Sequence, residues 1–203
     1  MQKKSCKEIL KAVGASKWDL SNKILYEMCQ KHPFHKTDEE IIAKVLMIGR
    51  IYSAAIERRR QVNSNSSMFY LHEVAPIMRK SKIDIWLTSL KDFENPNYEN
   101  CDQIIAIHKR VTDLFENISG LGKRSLASKY LHFHFPDLFF IYDLRSSNTL
   151  RRMTKSPVWN SNFIEYDTAY ARFFLRCLNL IERVHNECGI YLTPRELDKY
   201  LLS

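Results

Sequence analysis

Glycine and proline are scarce, at five and six residues of 203. A chain so poor in turn formers favours long helices over turn-rich β structure. Long apolar runs are missing too, and no stretch of roughly eighteen apolar residues offers a membrane-spanning helix. The start, Met1-Gln-Lys-Lys-Ser-Cys-Lys7, lacks the apolar centre of a secretion signal, so a cytoplasmic setting is expected. Cysteine is sparse and odd in number: Cys6, Cys29, Cys101, Cys177 and Cys188. No C-x-x-C pair occurs, which excludes a zinc knuckle or a dithiol redox motif of that spacing. Cys29, Cys101 and Cys177 fall in or beside apolar helical patterns and read as reduced, packed thiols. No cofactor-binding motif is visible, and none is expected.

The chain does have positive charge, +8 formally, and 45% hydrophobic residues. The second figure is that of a globular protein, not a disordered one. The first suggests a polyanionic partner such as nucleic acid or an anionic membrane surface. Nine Lys or Arg against five Asp or Glu fall within 101–155, so that segment carries four of the eight net charges.

Periodicity predicts helices over Lys4–Val13 and Lys17–Gln30, the second with Ser16 as its cap. Thr37-Asp-Glu-Glu40 reads as a capping box opening a long helix, whose apolar stripe runs from Ile41 to Ile56 and ends in Arg58-Arg-Arg60. Asn63-Ser-Asn-Ser-Ser67 is the clearest linker and separates an N-terminal helical segment, 1–62, from a helical region, 68–203. One compact domain fits equally well. Helical patterns return at Tyr70–Arg79, Ile83–Phe93, Asp102–Asn117 and Tyr166–Asn186, with Gly189 ending the last. Pro157–Ser161 reads as a connection. Thr193-Pro-Arg-Glu196 is a second capping box with proline at the first helical position. The fold class is all-α.

Ile118-Ser-Gly-Leu-Gly122 lies between two helical patterns, the second Arg124–His134. Two glycines one residue apart permit a tight turn with positive φ and a bare backbone. Amides at the turn and at the following helix start can then take a phosphate, with Lys123, Arg124 and Lys129 adding charge. A plain helix–helix turn explains the same glycines. Ile118-Ser-Gly-Leu-Gly-Lys-Arg-Ser-Leu-Ala127 resembles the helix-hairpin-helix of the DNA glycosylase superfamily. Phe135-Pro-Asp-Leu-Phe-Phe-Ile-Tyr-Asp143 then supplies the proline link and the aspartate at the family's spacing. The resemblance covers roughly 102–155 and implies two helical lobes with a cleft, a hairpin that grips double-stranded DNA, and Asp143 as the catalytic carboxylate of base excision. Segments at Ser128–His134, Ile141–Asp143 and Leu192–Asp198 also resemble bacterial proteins with an oxoguanine-glycosylase-like fold.

Two departures matter. Bifunctional members carry a lysine where this chain has Arg124, and arginine cannot serve as a Schiff-base nucleophile. Lys129, on an apolar helix face where an amine pKa can fall, is the rival, and otherwise a monofunctional hydrolase is implied. Leu126 replaces a residue that is usually small. Other readings stay open: Asp143 as an ordinary helix cap, His132 and His134 as structural or as metal ligands, and Arg58-Arg-Arg60 as a solvated helix end. Arg145, near the hairpin in sequence, joins Gly120, Gly122, Lys123 and Arg124 as a candidate nucleic-acid contact. The alternatives in function are a non-catalytic nucleic-acid-binding or defence-associated module and a helical protein–protein interaction protein.

Overall fold

The computed structural model describes residues 5–16, 18–59, 66–155 and 166–203, and among them there is no strand. The expected connection at 157–161 and most of the linker at 63–67 lie outside the described residues, as does Arg60. No helix is long and apolar enough to cross a membrane among the described residues.

Helices α1 (Cys6–Val13) and α2 (Trp18–Lys31) open the chain. Ser5 and Glu8 form a full capping box on α1. The cap expected on α2 is different: the Ser16 hydroxyl has no partner among the described residues, and Asp19 instead accepts the Ser16 N–H at 2.7 Å. On α3 (Asp38–Ile51) Thr37 Oγ1 accepts the Glu40 N–H at 3.3 Å. The Glu40 carboxylate turns to His32 Nδ1 at 2.9 Å, so only half of the predicted box is made.

Helix α3 also stops short of its apolar stripe. The chain doubles back so closely that a Cβ on Gly49 would lie 3.0 Å from Ala55 Cα. Ser53 takes the turn at φ 51°, and the Ala54 N–H donates to the Gly49 carbonyl at 2.7 Å. Ile56 remains fully buried, so its apolar spacing persists after the helix has ended. A second departure follows. The helix predicted over 70–79 is α4 (Ser66–Phe69), a wide π turn (Tyr70–Val74) and α5 (Ala75–Lys80). Pro76, in the first turn of α5, has no N–H to give, and the wider turn absorbs the missing bond.

The remaining helices are α6 (Ile83–Thr88), α7 (Cys101–Ser119), α8 (Arg124–His134), α9 (Leu144–Met153), α10 (Thr168–Cys188) and α11 (Pro194–Leu202). Thr193 and Glu196 close the predicted box on α11, and Gly189 ends α10 at φ 66°. Leu126 to Phe133 are all buried, so α8 is enclosed on every side, against α2, α3 and α7. A helix buried all round must find partners for each polar side chain it carries. Tyr130 OH lies 2.5 Å from His35 Nε2, whose Nδ1 lies 2.6 Å from Asp84. His132 bridges Tyr26 OH at 2.7 Å and the Phe139 carbonyl at 2.8 Å. These bonds fasten the segment before α3 and the link after α8 to one central rod.

Cys29, Cys101 and Cys177 are buried free thiols, as their patterns predict. The spacing assigns Cys6 and Cys188 no partner, yet they form a disulfide that joins α1 to the end of α10.

Burial keeps the imidazoles of His35, His108 and His132 neutral, with pKa values of about 4, 3 and 4 against an ordinary 6.5. Unfolding lets them take protons that the folded chain refuses, so stability falls as the pH drops below 6.5 until the folded values are reached. The unfolding free energy from urea titrations followed by circular dichroism is expected to fall steadily from pH 6.5 to about pH 4, by up to about 3 kcal/mol for each histidine, and the midpoint with it. A midpoint that stays level over that range contradicts the neutral, buried state.

Candidate nucleic-acid interface and cleft

The two hairpin glycines behave differently. Gly120 ends α7 in the left-handed region at φ 70°, its N–H donating to the Glu116 carbonyl at 2.7 Å. Ser119 Oγ donates to the Phe115 carbonyl at 2.8 Å and sits 3.3 Å from the Leu121 N–H, closing the turn. Gly122 does not share the positive φ that the spacing suggests. A Cβ there would meet only Glu116 Oε2, at 3.9 Å. Neither backbone strain nor crowding within the chain therefore requires glycine at 122. Helix α8 starts two residues later, and no side chain caps it.

Asp143 is brought to the hairpin by α8 itself. Ser125, Ser128 and Lys129 sit one turn apart on a buried face and grasp the backbone of Tyr142. Ser128 Oγ accepts the Tyr142 N–H at 3.0 Å, and Ser125 Oγ donates to the Tyr142 carbonyl at 3.0 Å. Lys129 Nζ donates to Ser125 Oγ at 2.5 Å and to the same carbonyl at 3.3 Å. With Tyr142 fixed, the next residue is fixed. Asp143 caps α9, its Oδ1 accepting from Ser146 N at 2.8 Å and Ser146 Oγ at 3.0 Å. The capping reading is thus correct as far as it goes, and among the described residues no hydrogen bond reaches Oδ2.

Two cavities meet at Asp143. The first, about 540 Å³, runs between the turn after α3 and the hairpin, with Arg58, Arg59, Gly122, Lys123 and the largely exposed Leu144 on its walls. The second, about 430 Å³, is lined by Trp18, Tyr52, Lys129, Ile141, Arg195 and Asp198 among others. Ser53, Ser125 and Asp143 border both. Burial lowers the Lys129 pKa from its ordinary 10.5, while the Asp143 and Asp198 carboxylates pull it back up. Its ammonium also lies 6.0 Å from the Tyr52 ring centre. Asp198 lies under Arg195, whose Nη1 donates to Oδ2 at 2.7 Å, and burial nevertheless pushes its carboxyl up to about 6.

The other candidates are placed as follows. Arg124 Nε donates to Asp167 Oδ2, and its guanidinium stacks on Tyr142 at 5.5 Å, so much of its charge is already answered inside the fold. Lys123 Nζ donates to the Arg58 carbonyl at 2.7 Å, joining the hairpin to the turn after α3. Arg145 is turned toward the C-terminus, where Nη2 donates to the Leu202 carbonyl at 3.1 Å. It lines neither cavity. Leu126, at the position where the resemblance implies a small residue, is buried. His132 is engaged in hydrogen bonds at both ring nitrogens, whereas His134 stacks on His35 at 5.6 Å and its buried Nε2 has no hydrogen-bond partner among the described residues. No group of metal ligands is present among the described residues.

The sequence assigns no site role to Tyr52, Trp18 and Asp198, which reach the site from the turn after α3, from α2 and from α11. It gives little weight to Arg58 and Arg59, whose arrival depends on the early end of α3. Comparison of the chain with protein-family models, with curated proteins and with solved structures returns no match.

Two predictions follow from these conformations. Gly120→Ala forces a side chain into the left-handed region and is expected to cost about 1 kcal/mol in urea unfolding. Gly122→Ala should stay within about 0.5 kcal/mol of the parent, and a large loss there would contradict the open space around it. For Asp198 the folded pKa of about 6 exceeds its ordinary 3.8. The folded chain therefore holds a proton that the unfolded chain releases between those values, and stability falls as pH rises through the window. Asp198→Asn is expected to be more stable than the parent at pH 8, by on the order of 1–3 kcal/mol, with the difference shrinking toward pH 4. An Asn variant that is less stable at pH 8 would show that the charged carboxylate is a net benefit.

Proposed function

We propose that this chain is a helix-hairpin-helix protein that binds double-stranded DNA and hydrolyses a base–sugar bond, with Asp143 as the carboxylate at the reacting sugar. The observation that carries the reading is the position of Asp143. It stands where a basic groove beside the hairpin opens into a second, partly apolar cavity. A duplex backbone tracks the first space, and an extruded base enters the second. A base-excising protein must unstack the base first, at a cost of a few kcal/mol.

Phosphate binding falls to the backbone around Gly122 and the uncapped start of α8, where partial positive charge collects. The bare Cα of Gly122, not needed by the fold, leaves room for a phosphate oxygen. Arg58 and Arg59 add charge on the facing wall. At the sugar, the free Asp143 oxygen stabilises positive charge as the bond from C1′ to the base breaks, and water then adds to C1′. Ser146 holds the other oxygen, which fixes the carboxylate in one orientation.

Direct attack by water is favoured over a lysine adduct. Arg124 cannot form a Schiff base, and the Lys129 ammonium is engaged by Ser125 and the Tyr142 carbonyl. Lys129 then serves as the post that positions Asp143.

Single-turnover assays on duplexes carrying a range of damaged or mispaired bases test the reading. Asp143→Asn is expected to slow base release at least 100-fold while leaving salt-dependent duplex binding intact. Gly122→Ala should weaken that binding several-fold, and binding should drop steeply with added salt. Borohydride should trap no covalent adduct; an adduct lost in Lys129→Gln would assign Lys129 as a nucleophile. Binding without any base release by the parent would instead support a non-catalytic DNA-binding module.

A further inference from the structure

The second cavity contains a buried polar group that the reading above leaves without a task. Asp198, on α11, lines it and is 4% exposed. Oδ2 is held by Arg195, whereas Oδ1 has no hydrogen-bond partner among the described residues. A bare, buried carboxylate oxygen is costly, and the cost is relieved when the group carries a proton or meets a donor.

Its surroundings explain why a proton is held there. Burial favours the neutral acid, and Asp143 beside the cavity reinforces it, while Arg195 on the same helix and Lys129 from α8 oppose it. Tyr26 from α2, Tyr52 after α3 and Cys177 on α10 also face the group. Burial raises the pKa of all three, so none competes as a proton donor near neutral pH. The outcome is a carboxyl that titrates at about 6 inside the cavity that also holds Asp143. Two carboxyl groups in one cavity, one of them kept partly neutral by its site, are the usual means of splitting acid and charge-stabilising roles.

We infer that Asp198 is a second catalytic carboxyl, the general acid that protonates the departing base while Asp143 meets the sugar. This rests on the glycosylase reading. As the bond from C1′ to the base nitrogen breaks, its electron pair goes to the base, which takes the Asp198 proton and leaves neutral. Water forms the new C1′–O bond and gives its proton to Asp143, and exchange with solvent reloads Asp198. The substrate class follows from the chemistry. A purine alkylated on N3 or N7 is already cationic and departs without a proton. Asp198 therefore matters for neutral, unalkylated bases.

The test is single-turnover release from duplexes carrying a neutral base (hypoxanthine, uracil or mispaired adenine) or a cationic one (N7-methylguanine), using the full chain. Asp198→Asn keeps an oxygen for Arg195, and Asp198→Glu keeps a carboxyl. Release of the neutral base is expected to fall about 100-fold or more in the Asn variant and to recover in part in the Glu variant. Any release of N7-methylguanine should change by less than about threefold. Equal losses on both substrates, no loss on the neutral one, or a loss that Glu does not recover overturns the acid role and leaves the glycosylase reading standing. Release of the cationic base alone by the parent has the same consequence. Release of neither class by the parent, or release that persists in Asp143→Asn, removes both.

Discussion

The Tyr142 carbonyl is the fixed point of the site. Three side chains of one buried helix face, Ser125, Ser128 and Lys129, hold the Tyr142 peptide from both of its polar ends. The link after α8 is neither helix nor strand beyond a turn at its start, so the residues just before Asp143 take their position from side chains such as these. A lysine buried to 3% exposure is tolerable because its ammonium answers this carbonyl and the Ser125 hydroxyl. The polar face of α8 thus does for the link what a neighbouring strand does for a strand. It gives the link's peptide groups partners and, through them, a register.

The rest of the buried polar set follows the same logic of one group fixing one segment. Lys44 Nζ donates to the His32 and Phe34 carbonyls, each at 2.8 Å, and so braces the chain between α2 and α3. Asp167 caps α10 through Ala169 and Tyr170 and receives Arg124 from the start of α8. His108 stacks on Tyr170 at 3.4 Å between α7 and α10. The first braces a connection against α3, and the other two set the α10 region against α8 and its hairpin partner α7.

Much of this was legible in sequence wherever the cause is local. The start of α8 at Arg124, the caps at Asp143 and Thr193 and the stop at Gly189 are all written in adjacent residues. The end of α3 was not, because Gly49 is decisive only once Ala55 folds back upon it, and Ile56 keeps helical spacing while lying outside the helix. Gly122 looked like a conformational glycine by its spacing, but only Gly120 has the backbone that demands one. The candidate site divides the same way. Gly122, Lys123, Lys129 and Asp143 share one short stretch and could be read together. Tyr52, in the turn after α3, and Asp198, on α11, lie 146 residues apart, and no periodicity reports that they share a cavity.

The bond between Cys6 and Cys188 closes a covalent ring over a separation of 182 residues. The ring includes the hairpin, the lining of the first cavity and the Tyr142 anchor. On the C-terminal side, α11 and the residues leading to it hang outside as a tail. That tail carries Arg195 and Asp198, and it is laced back by Lys199, which donates to Asp19 at 2.8 Å and to the Gly14 carbonyl at 3.2 Å. One wall of the second cavity is therefore a terminal segment tied by non-covalent contacts to a closed loop.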